Sequence, residues 1–284
     1  MGKFKRKREW FPSLKERKTQ EKLREIVPEK ERWTKKSAPK KVVILEFGDE
    51  KVREVMGKNT QLVNRYLVGD VNKKFLYQNN LVKVYSYLSR CLIEELPKEK
   101  RSKPFLFVAP RRGGELSEIL FKKESTGKIS IDPYKIQLAR VKEKVLGVKE
   151  IFFESQPPDL KKLKKDVIIF DDCIASTVSI EALLSLVEEW CISQGVQINE
   201  LKIWIAAAAA TQRGIERLLY LAKEKYRFRD IKIIIGILVW AMNSDFYLIN
   251  ADNAHKYIVG DMGDWTMRLP LSFNKKVWWN RYRK

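Results

Sequence analysis

Short, almost uninterrupted apolar runs alternate along the chain with longer stretches whose apolar residues recur every three or four positions. The runs are "KVVILEF" (41–47), "KPFLFVAP" (103–110), "DVIIF" (166–170), "LKIWIAAAAA" (201–210) and "IKIIIGILV" (231–239). Runs of this length without polar alternation are expected of strands covered on both faces. Between them, residues 75–96 keep helical spacing and stop before Pro97, and "RRGGELSEILFKK" opens a second helix. A third helix is expected over about 179–195, and "TQRGIERLLYLAKEKY" forms a fourth with Thr211 as its cap. Residues 122–150 are charged and glycine-spaced, and are expected to hold a mobile loop and a pair of strands. The alternation predicts an α/β, Rossmann-like fold with a parallel sheet and right-handed crossovers. Ligands of such sheets bind beyond the carboxyl ends of the strands, which points to 111–115, 171–179, 206–213 and 257–265.

The two ends of the chain break this pattern. Residues 1–41 carry 16 Lys/Arg against 6 Asp/Glu and only a short, weakly amphipathic helical stretch. The chain closes on "KKVWWNRYRK". The expected organisation is a basic arm over 1–41, one domain over 42–270 and a basic aromatic tail over 271–284. The whole chain of 284 residues has a net charge of +21, so polyanions are the expected partners: nucleic acid, a membrane surface or phosphorylated small molecules. Aromatics interleaved with basic residues in the arms suit unpaired nucleic-acid bases; a solvated tail or a subunit-binding arm fits the same composition. An apolar fraction of 44% and eight tryptophans are ample for a core. No run is long and uncharged enough for a membrane-spanning helix, and the N-terminus lacks a secretory pattern. Three widely spaced cysteines fit a reducing compartment, read as the cytoplasm. The single histidine, His255, leaves little room for histidine-based catalysis or a histidine metal site and is read as a packing or surface residue.

The stretch "VIIFDDCIASTVSI" (167–180) carries the chemistry. A strand runs into Asp171 and Asp172, then into the small and hydroxyl residues Ala175, Ser176, Thr177, Val178 and Ser179, and then into a helix. A loop at a helix N-terminus gathers backbone N–H donors and the positive end of the helix dipole, which suits a phosphate. The carboxylates would repel a phosphate but accept hydrogen bonds from sugar hydroxyls, so a ribose phosphate satisfies both halves. The plainer alternative is that the acids only end a strand and cap a turn.

This stretch resembles the phosphoribosyl-pyrophosphate signature of the type I phosphoribosyltransferases. Three further segments match in order. "VAPRRGGE" resembles the family's pyrophosphate loop, with Arg112 in the arginine position. "KYIVGDMGDW" resembles the base-recognition segment of the uracil phosphoribosyltransferases, and "MGKNTQLVNRYL" the N-terminal part of that subfamily. The resemblance implies a phosphoribosyltransferase-like core and transfer of a phosphoribosyl group from phosphoribosyl pyrophosphate to a pyrimidine base, with release of pyrophosphate, as in pyrimidine salvage. It further implies catalytic Asp171 and Asp172 on the ribose, a terminal phosphate held by Ala175, Ser176, Thr177, Val178 and Ser179, and Arg112 on the pyrophosphate. Arg140 would be a second phosphate-binding arginine, and Ile258, Gly263, Asp264 and Trp265 would surround the base and ribose. Mg2+ would arrive chelated by the substrate, with no resident metal site, and a homo-oligomer is expected.

The chain departs from the family pattern at the loop. Thr177 and Val178 replace two glycines that would allow positive φ and close backbone approach. Either the loop takes another shape, or phosphate affinity is lost. Two readings follow: an active uracil-type enzyme, or a phosphoribosyltransferase-like protein that has lost catalysis and binds nucleic acid or acts in regulation.

Overall fold

The computed structural model describes residues 5–6, 22–45, 71–97, 103–142, 146–153, 157–242, 248–250 and 253–259. Its strands are β1 (Lys5–Arg6), β2 (Val42–Ile44), β3 (Phe105–Pro110), β4 (Ile131–Lys142), β5 (Leu146–Phe153), β6 (Asp166–Ile174), β7 (Lys202–Thr211), β8 (Asp230–Val239), β9 (Ala241–Met242), β10 (Leu248–Asn250) and β11 (Asn253–Val259). The helices are α1 (Val71–Glu95), α2 (Arg111–Ser125), α3 (Val178–Gln194) and α4 (Gln212–Tyr220). One sheet runs in the order β1-β5-β4-β3-β6-β7-β8-β2, and β9, β10 and β11 form a second, antiparallel sheet. From β4 to β2 all neighbours are parallel, and β5 and β1 add an antiparallel edge. The expected parallel α/β core is therefore present, and the strand pair expected within 122–150 is β4 and β5, which pair antiparallel; the second sheet was not foreseen.

Apolar packing covers both faces of the large sheet. Helices α3 and α4 cover one face through Val178, Leu183, Val187, Ile215 and Leu218, which meet Val167, Ile169, Ile203, Ile205 and Ile233. Helices α1 and α2 cover the other through Val84, Leu88, Leu92, Leu120 and Phe121, which meet Phe107, Phe170, Trp204 and Ile234. This double coverage is why β3 is buried at all six positions and β7 at nine of ten. Five of the buried residues of β7 are alanines, Ala206 to Ala210. Alanine is a poor strand former, so burial between two helical layers, not intrinsic propensity, sets this strand.

Helix boundaries follow local chemistry. Thr211 Oγ1 accepts from the Gly214 N–H at 3.0 Å and caps α4 as expected. Gly195 ends α3 at φ 65, and the Val196 N–H returns to the Cys191 carbonyl at 2.9 Å. Helix α4 widens at its end into a π-type turn, Leu221–Lys225.

Residues 22–41 lie against the domain. Val27 is fully buried and its N–H donates to the Trp240 carbonyl at 3.0 Å. Arg32 lies over the Trp240 ring, and Trp33 and Ala38 pack on the α3/α4 face. The strap then enters β2, with Lys41 paired to Asp230 at 2.8 Å.

Candidate functional site

The strand order contains one reversal that positions the site. From β3 the chain crosses through α2 to β4 on one side, and from β6 it crosses through α3 to β7 on the other. Right-handed crossovers moving in opposite directions must use opposite faces, so α2 and α3 diverge. The carboxyl ends of β3 and β6 are therefore a topological switch point, the place at which open α/β sheets bind ligands. The N-termini of two helices open onto it, so two helix dipoles favour an anion there. Val108 pairs with Ile169, which sets Arg111 just past the sheet level of Asp171.

Strand β6 is longer than its apolar core suggests. It runs to Ile174, so Asp171 and Asp172 lie within it, and Asp171 pairs with Ala207 of β7. Asp171 is buried, at 5% exposure. Ala175, Ser176, Thr177, Val178 and Ser179 follow and are all buried, three of them with hydroxyls.

Thr177 is the N-cap of α3 and stands at φ 61, ψ −8, the left-handed region. It makes no side-chain capping bond. Threonine enters that region at a cost of about 1–2 kcal/mol. The backbone thus holds at 177 the conformation a glycine would take freely, and Val178 is the first residue of a regular helix. The first-turn N–H groups of α3 precede its first helical bond, from the Glu181 N–H to the Thr177 carbonyl at 2.8 Å.

Glu181, in that first turn, is buried and ion-paired to Arg217 Nη2 at 3.4 Å and Lys225 Nζ at 3.2 Å. The Tyr226 phenol donates to the Glu181 carbonyl at 3.3 Å and shares a hydrogen bond with Ser185 Oγ at 2.6 Å. Burial pushes the Tyr226 phenol up to about 12, only partly countered by Ser185 and Lys225. The helix that begins at the candidate loop is thereby locked to α4 and its π-turn. Periodicity did not disclose this lock, because its members are 36 to 45 residues apart.

The remaining expected site residues are placed unevenly. Arg112 lies in the first turn of α2, as the helical reading of "RRGGELSEILFKK" expected and in place of the loop that the resemblance implied, because Pro110 ends β3 and N-caps the helix directly. Arg140 lies on β4 at a register irregularity and pairs with Val148, well beyond the level of Pro110 on β3. Ile258 and His255 are on β11, in the second sheet. Gly263, Asp264 and Trp265 lie outside the described residues. Among the described residues no group of three or more His, Cys, Asp or Glu could hold a metal ion, and no helix is long and apolar enough to cross a membrane. Sequence reasoning missed Gly214, whose position in the first turn of a helix was the available signal.

No protein-family model and no curated protein matches the chain in sequence. In structure it is similar to the AQ2163 protein from Aquifex aeolicus, at 18% identity and a TM-score of 0.56, over 80% of this chain and 98% of that one. It is also similar to adenine phosphoribosyltransferase from Leishmania donovani, at 14% identity and a TM-score of 0.39, over 71% and 82% of the two chains. A third similar structure is the xanthine-guanine-hypoxanthine phosphoribosyltransferase of Helicobacter pylori, at 16% identity and a TM-score of 0.33, over 56% and 88%. The likeness to the AQ2163 protein shows a shared fold.

Proposed function

We propose that the chain is a phosphoribosyltransferase that moves a phosphoribosyl group from phosphoribosyl pyrophosphate to a nucleobase and releases pyrophosphate, with a pyrimidine, uracil first, as acceptor. The observation that supports this reading is the switch point between β3 and β6, where a buried acid on β6 runs into a hydroxyl loop and a left-handed Thr177 at the start of α3. The left-handed Thr177 also favours the enzyme over a lapsed relative, because the loop keeps the backbone form that close approach to a phosphate requires.

The first-turn N–H groups of α3 and the hydroxyls of Ser176, Thr177 and Ser179 would bind the sugar's terminal phosphate. Asp171 and Asp172 would accept hydrogen bonds from the ribose hydroxyls and face the positive charge that develops on the ring as pyrophosphate leaves. Arg112, with Arg140 from the β4 extension, would bind the pyrophosphate oxygens, for which a planar fork is suited. Ile258 and the segment holding Gly263, Asp264 and Trp265 would contact the base. Catalysis is then positioning and charge stabilisation without a covalent nucleophile. Magnesium would enter as part of the substrate, held by phosphate and ribose oxygens and water. A cytoplasmic homo-oligomer completes the proposal.

The test is calorimetric titration of phosphoribosyl pyrophosphate with magnesium, then an assay of pyrophosphate release with uracil, adenine and hypoxanthine in parallel. Binding, turnover with uracil and loss of turnover in Asp172→Asn are expected. Turnover with a purine alone would overturn the pyrimidine assignment, and no binding at millimolar ligand would overturn the reaction class.

A further inference from the structure

The backbone that leads into the candidate loop rests on the first turn of α4, and Gly214 is where the two meet. A Cβ at this position would lie 2.8 Å from Thr211 Oγ1, 3.0 Å from the Ala175 carbonyl oxygen and 3.1 Å from the Ile174 carbonyl oxygen. Two of these neighbours are backbone atoms that no rotamer change can move. Gly214 has no positive φ, so its conformation does not require glycine. Close approach of the 174–175 backbone is the remaining reason for a glycine inside a helix.

Neighbouring residues fix the same turn. Thr211 Oγ1 accepts the Gly214 N–H at 3.0 Å and lies 3.5 Å from the Ile174 carbonyl, to which its hydroxyl donates. Gln212 is 2% exposed and ties the turn to the strap. Its Nε2 donates to the Glu31 carbonyl and to Glu216 Oε1, each at 2.9 Å, and its Oε1 accepts the Trp33 N–H at 2.9 Å. Two residues beyond Ala175 stands Thr177, in a conformation that a β-branched residue keeps only where its surroundings impose it.

We propose that the first turn of α4, through Thr211, Gln212 and Gly214, is a platform that holds the 174–175 backbone and thereby keeps Thr177 left-handed, which makes these three positioning residues for the loop. Their effect on ligand binding rests on the phosphoribosyl pyrophosphate reading above; the packing does not. Without the platform Thr177 relaxes toward negative φ and the first-turn N–H groups of α3 no longer converge on a phosphate. The loss then falls on affinity for phosphoribosyl pyrophosphate, while affinity for the base stays as it was.

The experiment uses the full chain with Gly214→Ala, with Thr211→Val as a same-sized variant that removes the hydroxyl without crowding the loop, and with Thr211→Ser as the conservative control. Hydrogen exchange of the amides of 174–181 and calorimetric affinity for phosphoribosyl pyrophosphate with magnesium are measured on each. Gly214→Ala and Thr211→Val are expected to speed loop exchange and weaken binding by about tenfold or more, with β7 and β8 protected as before, and Thr211→Ser to stay within about twofold. Adding Thr177→Gly to Gly214→Ala is expected to recover part of the affinity, because glycine reaches positive φ unaided. Native loop exchange in either folded variant would overturn the platform, and Thr211→Val decides the matter if Gly214→Ala does not fold. Faster exchange with unchanged affinity would overturn the positioning role. Faster exchange in a protein whose native form binds no phosphoribosyl pyrophosphate would leave the platform standing and remove the phosphoribosyl reading instead.

Discussion

Thr177 concentrates the conflict between local preference and global fold. A threonine at φ 61 stores about 1–2 kcal/mol of strain. Glycine would remove that strain and return about 0.5–1 kcal/mol of it as extra freedom of the unfolded chain. Thr177→Gly is therefore expected to raise stability by up to about 1 kcal/mol, read as a higher urea midpoint at unchanged slope. A fall of similar size would mean that the buried threonine side chain contributes more than the strain costs. Tyr226 gives a second expectation at this scale, through pH. Its phenol is raised from 10.0 to about 12, chiefly by burial. A group held protonated by the fold contributes stability that is complete below its unfolded value near 10 and is lost as pH rises toward 12. The pH dependence of the urea midpoint across that window should flatten in Tyr226→Phe, and near-ultraviolet titration of the native protein should lose a late-ionising tyrosine in that variant.

At the scale of elements, α3 joins the candidate loop to the rest of the domain, and Glu181 is its principal polar tie. The carboxylate is 5% exposed and Arg217 10%, so removing the charge takes the buried counter-charge away from a largely covered guanidinium. Glu181→Gln is expected to cost roughly 2–4 kcal/mol in urea unfolding, far more than a surface pair would. Double substitution with Arg217→Met should recover a large part of that loss, and a double variant as unstable as the sum of the two singles would show that the pair does not act as a unit. The elements themselves were largely legible in the sequence. Each long apolar run became a strand, and α1, α3 and α4 began and ended within a few residues of the signals at Pro97, Gly195 and Thr211. What the chain did not disclose was set by tertiary contact. The carboxyl extension of β6 through Asp171 and Asp172 follows from pairing with the alanines of β7, and the left-handed Thr177 follows from packing, since its own propensity opposes it. The switch point between β3 and β6 needs the spatial order of the strands, which periodicity does not contain.

For the whole molecule, the question is where the folded domain begins. The fall in charge near residue 41 suggested a boundary there, yet the strap from 22 to 41 carries buried contacts on both faces of the sheet. Leu23 joins the α1/α2 face, and Trp33 and Ala38 pack on the α3/α4 face. Burial of Leu23 and Val27 contributes about 1.5–3 kcal/mol for each side chain. Loss of the strap would also strip Gln212 of two of its hydrogen-bond partners and Asp230 of Lys41. Against a typical total of about 5–15 kcal/mol, deletion of 1–41 should leave the domain marginal or unfolded. Deletion of 1–21 removes 8 Lys/Arg and 3 Asp/Glu but keeps the strap, at the expense only of the two-residue edge strand β1 among the described elements. Urea unfolding of the two truncations should therefore diverge, with the shorter deletion within about 1 kcal/mol of the full chain. Equal stability of both would place the domain boundary at 42 and make the strap an appendage. The same pair separates the roles of the basic charge. Any salt-dependent affinity for single-stranded RNA that belongs to the arm should fall in the shorter deletion, with a shallower dependence on salt, while the domain stays folded. A binding loss confined to the longer deletion would report unfolding of the domain instead of removal of an interaction surface.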